Sequence, residues 1–114
     1  MTAEISLDGR TLVGVANTDA GEVSEDTRFE FTQDDERIYA HYSGGDIVDG
    51  HLVGTFDGKE WDIRYSQLNS EHETASGHSV GTVFLLDDGR VRVEDNWEWE
   101  SQDGSGKSVL EEVV

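Results

Sequence analysis

Apolar side chains recur at every second position through most of this chain, and that period restricts the possible folds more than any other feature. Between residues 90 and 100, Val91, Val93, Trp97 and Trp99 share one parity with Asp95, whereas the other parity holds charged and amide side chains. A period of two is typical of half-buried β-strands, and no segment shows a helical period. The pattern predicts strands at residues 11–16, 27–33, 37–43, 47–56, 60–67, 78–86, 90–100 and 107–113.

The connections between these strands are of two kinds that alternate along the chain. Asp-rich or Asp-Gly sequences at 34–36, 57–58 and 87–89 are typical of tight turns. The connections at 17–26, 68–77 and 101–106 are longer, with Gly-Gly at 44–45 as a short exception. In an antiparallel meander, the tight turns would gather at one end and the longer loops at the other, like the base and mouth of a cup.

We therefore predict an all-β fold, an eight-stranded antiparallel up-and-down barrel, because closing the sheet removes its exposed edges. A two-sheet sandwich is the alternative. The length of 114 residues predicts a single domain over residues 1–114, with residues 1–10 as a loosely ordered N-terminal segment.

Strand parity predicts which side chains face the barrel interior. In the fourth strand, Val48, Leu52 and Phe56 share a face with Gly50 and Gly54. Glycine within a strand marks a bend or a close approach of another group to the backbone. The strand at 78–86 is apolar on both parities, so its orientation stays open.

The net charge of -18, from 26 acidic and 8 basic residues, bounds the environment and the partners of the chain. Such a charge is self-repelling in dilute buffer but is screened within about 3 Å in molar salt. We therefore expect the protein to reside in a salt-rich cytoplasm, as in a haloarchaeon. The N-terminal sequence lacks the basic region and apolar core of a signal peptide, which supports the expected cytoplasmic location. The acidic surface excludes nucleic acids and anionic membranes as partners. Cysteine is absent, which excludes disulfides and thiolate sites.

Motifs that would carry chemistry are weak in this sequence. Gly-Ser-Gly-Lys-Ser at 104–108 resembles the end of a phosphate-binding loop, but position 101 is Ser and a strand-like segment follows. The histidines at 41, 51, 72 and 78 lack the spacing of a metal pair along one strand or helix. The sequence therefore predicts no metal site, no cofactor and no catalytic residue.

Aromatic and polar residues converge at the predicted barrel mouth. The candidate ligand-binding residues are Tyr42, Tyr65, Gln67, His78, Asp95, Trp97 and Trp99. Aromatic walls with a few polar groups are typical of a small-molecule pocket. The prediction is a non-catalytic small-molecule-binding module, monomeric or a weak homo-oligomer. The alternatives are an enzyme using Asp95 or His78 as general acid or base, and a structural protein whose barrel is filled by side chains.

Asp95 presents an open question, because parity places its carboxyl group on the same face as the two tryptophans. A buried carboxyl group must be hydrogen-bonded, paired or protonated, and the sequence shows no obvious partner. The alternative is a β-bulge that turns Asp95 outward.

Several motifs spread over most of the chain resemble those of a known family. They include Tyr-Ser-Gly-Gly-Asp-Ile at 42–47, Gly-His-Leu-Val-Gly at 50–54, Trp-Glu-Trp at 97–99 and Ser-Gln-Asp-Gly-Ser-Gly at 101–106. With these motifs the chain resembles short single-domain proteins of which some carry the label N-acetylglutamate synthase. The resemblance implies a calycin-like, lipocalin-type antiparallel barrel and supplies no catalytic residues. Acetyltransferases of the usual kind are mixed α/β proteins, whereas this sequence offers no helix.

Overall fold

The computed structural model describes residues 5–17 and 21–113 and contains eight β-strands within them. Their bounds are β1 Thr11–Asn17, β2 Arg28–Asp34, β3 Arg37–Gly44, β4 Ile47–Phe56, β5 Glu60–Asn69, β6 Thr74–Leu85, β7 Val91–Trp99 and β8 Ser105–Glu112. Each strand pairs antiparallel with the next, and β1 also pairs with β8. The sheet is therefore a closed eight-stranded up-and-down barrel, which confirms the predicted fold and excludes the sandwich.

The largest departure from the predicted strands lies at the start of β6. This strand begins at Thr74, four residues before the predicted start, and residues 74–77 pair with residues 65–68 of β5. Small and polar residues carry no apolar period, so the sequence pattern missed them. Consequently the β5–β6 connection is short, and the β1–β2 connection is the longest at the mouth. The open orientation of β6 is also resolved, because Ser79 and Val83 point inward while Val80 and Phe84 point outward.

The prediction that Val48 faces the barrel interior is wrong. Val48 is 55% exposed, whereas its neighbour Ile47 is 1% exposed. The register between β4 and β5 shifts between Ile47 and Asp49. Such an irregularity inserts an extra residue and reverses the parity of the residues before it, which parity counted from Leu52 cannot detect.

Glycines in the strands make room for aromatic rings on the neighbouring strand. Gly50 pairs with Tyr42, Gly77 pairs with Tyr65, and Gly81 pairs with Trp61. A Cβ atom built on Gly81 would lie 2.8 Å from Trp61 Nε1, and one built on Gly50 would collide with the Tyr42 ring. Each ring thus lies close against a glycine, so these glycines mark a close approach of a side chain to the backbone.

The base of the barrel is closed by the segment before β1. Leu7 is completely buried in the main core, and its backbone N–H donates a hydrogen bond to Gln33 Oε1 at 2.8 Å. Arg10 pairs with Glu112 at 2.6 Å. Residues 5–10 are therefore held against the barrel. Residues 1–4 of the predicted N-terminal segment lie outside the described residues. The segment at residues 5–10 thus packs against the base end of the apolar interior.

The charge of -18 leads to a prediction about salt. We expect the melting temperature to rise continuously from dilute buffer to molar KCl, because screening removes repulsion among exposed carboxylates while the packed interior stays unchanged. Thermal unfolding followed by circular dichroism measures this directly. An unchanged melting temperature over that range would contradict the expectation of a salt-adapted protein.

Within the described residues, no helix has the length and apolar character needed to cross a membrane.

Candidate functional site

A cavity of about 50 Å³ opens at the barrel mouth. It is bordered by residues 21–23 of the β1–β2 connection and walled by the parts of the strands nearest the mouth. A water molecule needs about 10–15 Å³ measured in this way, so the cavity has space for roughly three to five waters. The barrel is therefore filled in its lower part and open in its upper part.

Asp95 forms the polar floor of this cavity and is 7% exposed. Ser79 Oγ donates a hydrogen bond to Asp95 Oδ2 at 2.5 Å, and the Ser108 hydroxyl donates to Oδ1. Trp61 Nε1 in turn donates to Ser79 Oγ at 3.0 Å. Both carboxyl oxygens are thus hydrogen-bonded by serines on the flanking strands, which answers the question of the missing partner. Asp95 keeps its regular register opposite Ser108, so no bulge turns it outward.

Burial controls the protonation of Asp95. Desolvation raises the pKa of Asp95 above its ordinary value of 3.8, and the hydrogen bonds from Ser108 and Ser79 only partly oppose this rise. A carboxyl group in such a position is a strong hydrogen-bond acceptor in a medium of low polarity. It can therefore bind and orient a ligand that brings N–H or O–H donors.

Three aromatic rings form a wall beside Asp95. Tyr65 meets Trp99 edge to face, with ring centroids 5.8 Å apart, and Trp97 lies 5.4 Å from Trp99. Trp97 Nε1 donates to Asn17 Oδ1 at 3.0 Å, which fixes the indole against the end of β1. With Ala75, the two tryptophans form a cluster separate from the main core. This wall offers flat apolar surface to a ligand.

A second polar chain closes the other side of the mouth. Tyr42 donates to Gln67 Oε1 at 2.8 Å, and Gln67 Nε2 donates to Glu22 Oε1 at 2.7 Å. Asn69 Nδ2 donates to the other oxygen of Glu22 at 2.9 Å. Burial raises the pKa of Tyr42 above its ordinary value, so the phenol remains a neutral donor. These bonds attach the β1–β2 connection to β5 and hold Glu22 at the rim.

Six of the seven candidate residues line the cavity, namely Tyr42, Tyr65, Gln67, Asp95, Trp97 and Trp99. Their part in binding stays a prediction. The placement of His78 is wrong: its side chain lies on the outer surface, where Nε2 is 2.6 Å from Asp62 Oδ1. In β6 the odd-numbered residues point inward, so His78 points outward. The sequence had left the orientation of this strand undecided. His78 is therefore not placed to act as a general acid or base in the cavity.

Four polar residues of the site were missed by the sequence interpretation: Asn17, Glu22, Ser79 and Ser108. Strand parity could have placed Ser108 inward, because it shares a face with Leu110. Ser79 depended on the unresolved orientation of β6. Glu22 lies on a connection whose path no period predicts.

The buried carboxyl group leads to a prediction about pH. Because the pKa of Asp95 is raised in the folded state, the folded protein binds this proton more tightly than the unfolded chain does. The stability that wild type holds relative to Asp95→Asn should therefore fall as pH rises from about 3.8 to the raised folded value, and then level off. Urea unfolding of both proteins across that range measures the difference, in which the other carboxyl groups cancel. A difference that is constant or increases with pH would contradict the raised pKa.

Comparison with known proteins gives one family match and a similar solved structure. The profile of a family described as avidin-like protein matches residues 5–113. Among solved structures, the fold is similar to the crystal structure of apo shwanavidin, with a TM-score of 0.59 and 15% identity over 99% of this chain and 100% of that chain. At this identity the likeness shows the fold alone. No curated protein matches the chain. These findings support the calycin-type barrel that the motif resemblance implied, and none of them carries the N-acetylglutamate synthase label.

Proposed function

Because this chain belongs to the avidin-like protein family, we propose that it binds a small molecule, without catalysing its conversion, in the cavity at the barrel mouth. The observation that carries the proposal is the buried Asp95 carboxyl group at the foot of the aromatic wall of Tyr65, Trp97 and Trp99. A concave, mostly apolar site with a few fixed polar groups is the usual form of a ligand pocket.

The charge of the lining favours one class of ligand. The cavity is lined by two carboxyl groups, those of Asp95 and Glu22, and by no lysine or arginine among the described residues. An anionic group placed there would meet like charge in a medium of low polarity. The ligand we propose is neutral or cationic at its buried end and carries N–H donors for Asp95.

The size of the cavity limits how much of the ligand enters. About 50 Å³ admits one compact ring against Trp97 and Trp99, not a long molecule. The remainder of a larger ligand would leave past Glu22 at the rim. Cyclic ureas and lactams combine a flat ring, N–H donors and no charge, and so match the site.

The proposal predicts selective binding that depends on Asp95. Isothermal titration calorimetry in molar KCl should detect binding of 2-imidazolidinone, which is a cyclic urea, or of biotin amide, which contains one. Glutamate and acetyl-CoA, which are anionic, should not bind. Asp95→Asn should weaken the binding roughly tenfold to hundredfold, because a hydrogen bond to a charged group contributes about 1.5–3 kcal/mol.

His78→Gln is the matched control, because this side chain lies on the outer surface and should leave the affinity unchanged. Equal affinities of wild type and Asp95→Asn would contradict the proposed site. Binding of none of the cyclic ureas by the folded protein would contradict the proposed ligand class and favour a barrel with a structural role.

A further inference from the structure

Two histidines and one aspartate converge on the outer surface of the barrel, on the side of β3 and β4 that faces away from the cavity. His41 of β3 lies directly opposite His51 of β4 in the strand register, and their rings are 4.9 Å apart. Asp49 precedes His51 by two residues on the same strand. The neighbouring residues Tyr42 and Leu52 line the cavity, so this cluster is separated from it by the sheet itself.

The donor atoms of the three side chains point toward a common place. Asp49 Oδ1 is 2.5 Å from His41 Nε2 and 3.5 Å from His51 Nε2, and one donor atom from each residue lies within 4.8 Å of the others. The side chains are 52–65% exposed, so they can turn without disturbing the core.

We propose that His41, Asp49 and His51 form a surface site for a divalent transition-metal ion of the Zn²⁺ type. Imidazole nitrogens and a carboxylate oxygen bind Zn²⁺ at about 2.0–2.2 Å, and the ion replaces the hydrogen bond between His41 and Asp49. A small outward rotation of the His41 and Asp49 side chains opens the space that the ion needs. Three protein ligands leave a tetrahedral ion with one position for water or for a donor from another molecule.

A third histidine on the outer surface, outside the cluster, shows why the cluster is distinctive. His78 lies between Asp62 and Glu98, at 2.6 Å and 3.7 Å, so it offers one imidazole among carboxylates. Two imidazoles select a borderline metal over Mg²⁺ and Ca²⁺, which prefer oxygen ligands. The cluster at His41 therefore differs in kind from the many carboxylates of this acidic surface.

The test is a Zn²⁺ titration of the folded full-length protein in molar KCl, with and without excess Mg²⁺. We expect saturable binding of one ion that excess Mg²⁺ leaves in place, and shifts of the imidazole resonances of His41 and His51. His41→Gln, His51→Gln and Asp49→Asn should each weaken Zn²⁺ binding at least about tenfold, since even groups that only support a metal ligand cost that much.

His72→Asn is the matched control. It also removes one imidazole, lies outside the cluster, and keeps a residue that tolerates the positive φ of 67° at this position. It should leave Zn²⁺ affinity unchanged. Zn²⁺ affinity that is insensitive to His41→Gln and His51→Gln, or binding abolished by Mg²⁺, would overturn the proposal in favour of diffuse binding to surface carboxylates. The result is independent of whether the barrel mouth binds a ligand.

Discussion

Replacement of Trp61 by alanine is expected to lower the free energy of unfolding by about 3–5 kcal/mol, the range for deletion of a large buried aromatic side chain. Trp61 is 2% exposed, its ring stacks on Phe31 at 5.8 Å, and it covers Gly81 on the neighbouring strand. Alanine would leave a cavity between β5 and β6 and would also leave Ser79 without its indole donor. A total stability of about 5–15 kcal/mol makes this a large share.

Urea unfolding in molar KCl, followed by far-UV circular dichroism, measures the loss. Trp61→Phe is the control: it keeps a buried aromatic ring at this position and removes the N–H donor and only part of the indole's volume, so its loss of stability should be distinctly smaller than that of Trp61→Ala. A change within about 0.5 kcal/mol for Trp61→Ala, as is usual for surface positions, would contradict the packed interior described above.

Gly44→Ala is expected to produce a loss of similar size for a different reason. Gly44 ends β3 with a φ of 121°, and a Cβ atom there would collide with the backbone carbonyl oxygen of Asp26. Its own carbonyl accepts a hydrogen bond from Thr27 Oγ1 at 3.1 Å. Backbone strain costs about 1–3 kcal/mol and the collision about 1–3 kcal/mol more, or about 2–6 kcal/mol in total.

Gly58→Ala separates the two causes. Gly58 also has a positive φ, of 97°, but a Cβ atom there meets no atom within 4 Å. Its loss should therefore reflect strain alone, about 1–3 kcal/mol. If both variants lose the same stability, Gly44 does not dock against Asp26. Because Glu22 lies on the same connection as Asp26, Gly44→Ala should also weaken ligand binding, whereas Gly58→Ala should not.

The sequence period was sufficient to predict the eight strands and their order, since alternation and turn residues are local properties. The choice of a barrel over a sandwich was settled by the pairing of β1 with β8, which is not local. Parity also placed Tyr42, Trp97 and Trp99 on the interior face, where they are buried. It was wrong for Val48, because the irregularity at residues 47–49 leaves no trace in a pattern of apolar residues.

Pairing across strands is the information that the sequence could not supply. The hydrogen bonds of Asp95 come from serines on β6 and β8, and the His41–His51 pair spans ten residues along the chain. The near-repeat Gly-His-Leu-Val-Gly at 50–54 and Gly-His-Ser-Val-Gly at 77–81 has a related cause. In each segment the first glycine lies under a tyrosine ring of the adjacent strand, and this role is visible only in the register.

The central claim, that the barrel mouth binds a small neutral ring, is tested most directly by NMR. Amide and indole spectra of the wild-type protein in molar KCl should be recorded during a titration with 2-imidazolidinone. We predict saturable shifts at the indoles of Trp97 and Trp99 and at the amides of Tyr65 and Asp95, with residues on the outer surface unaffected. A well-dispersed spectrum without any such shifts, or with shifts confined to the outer surface, would contradict the account.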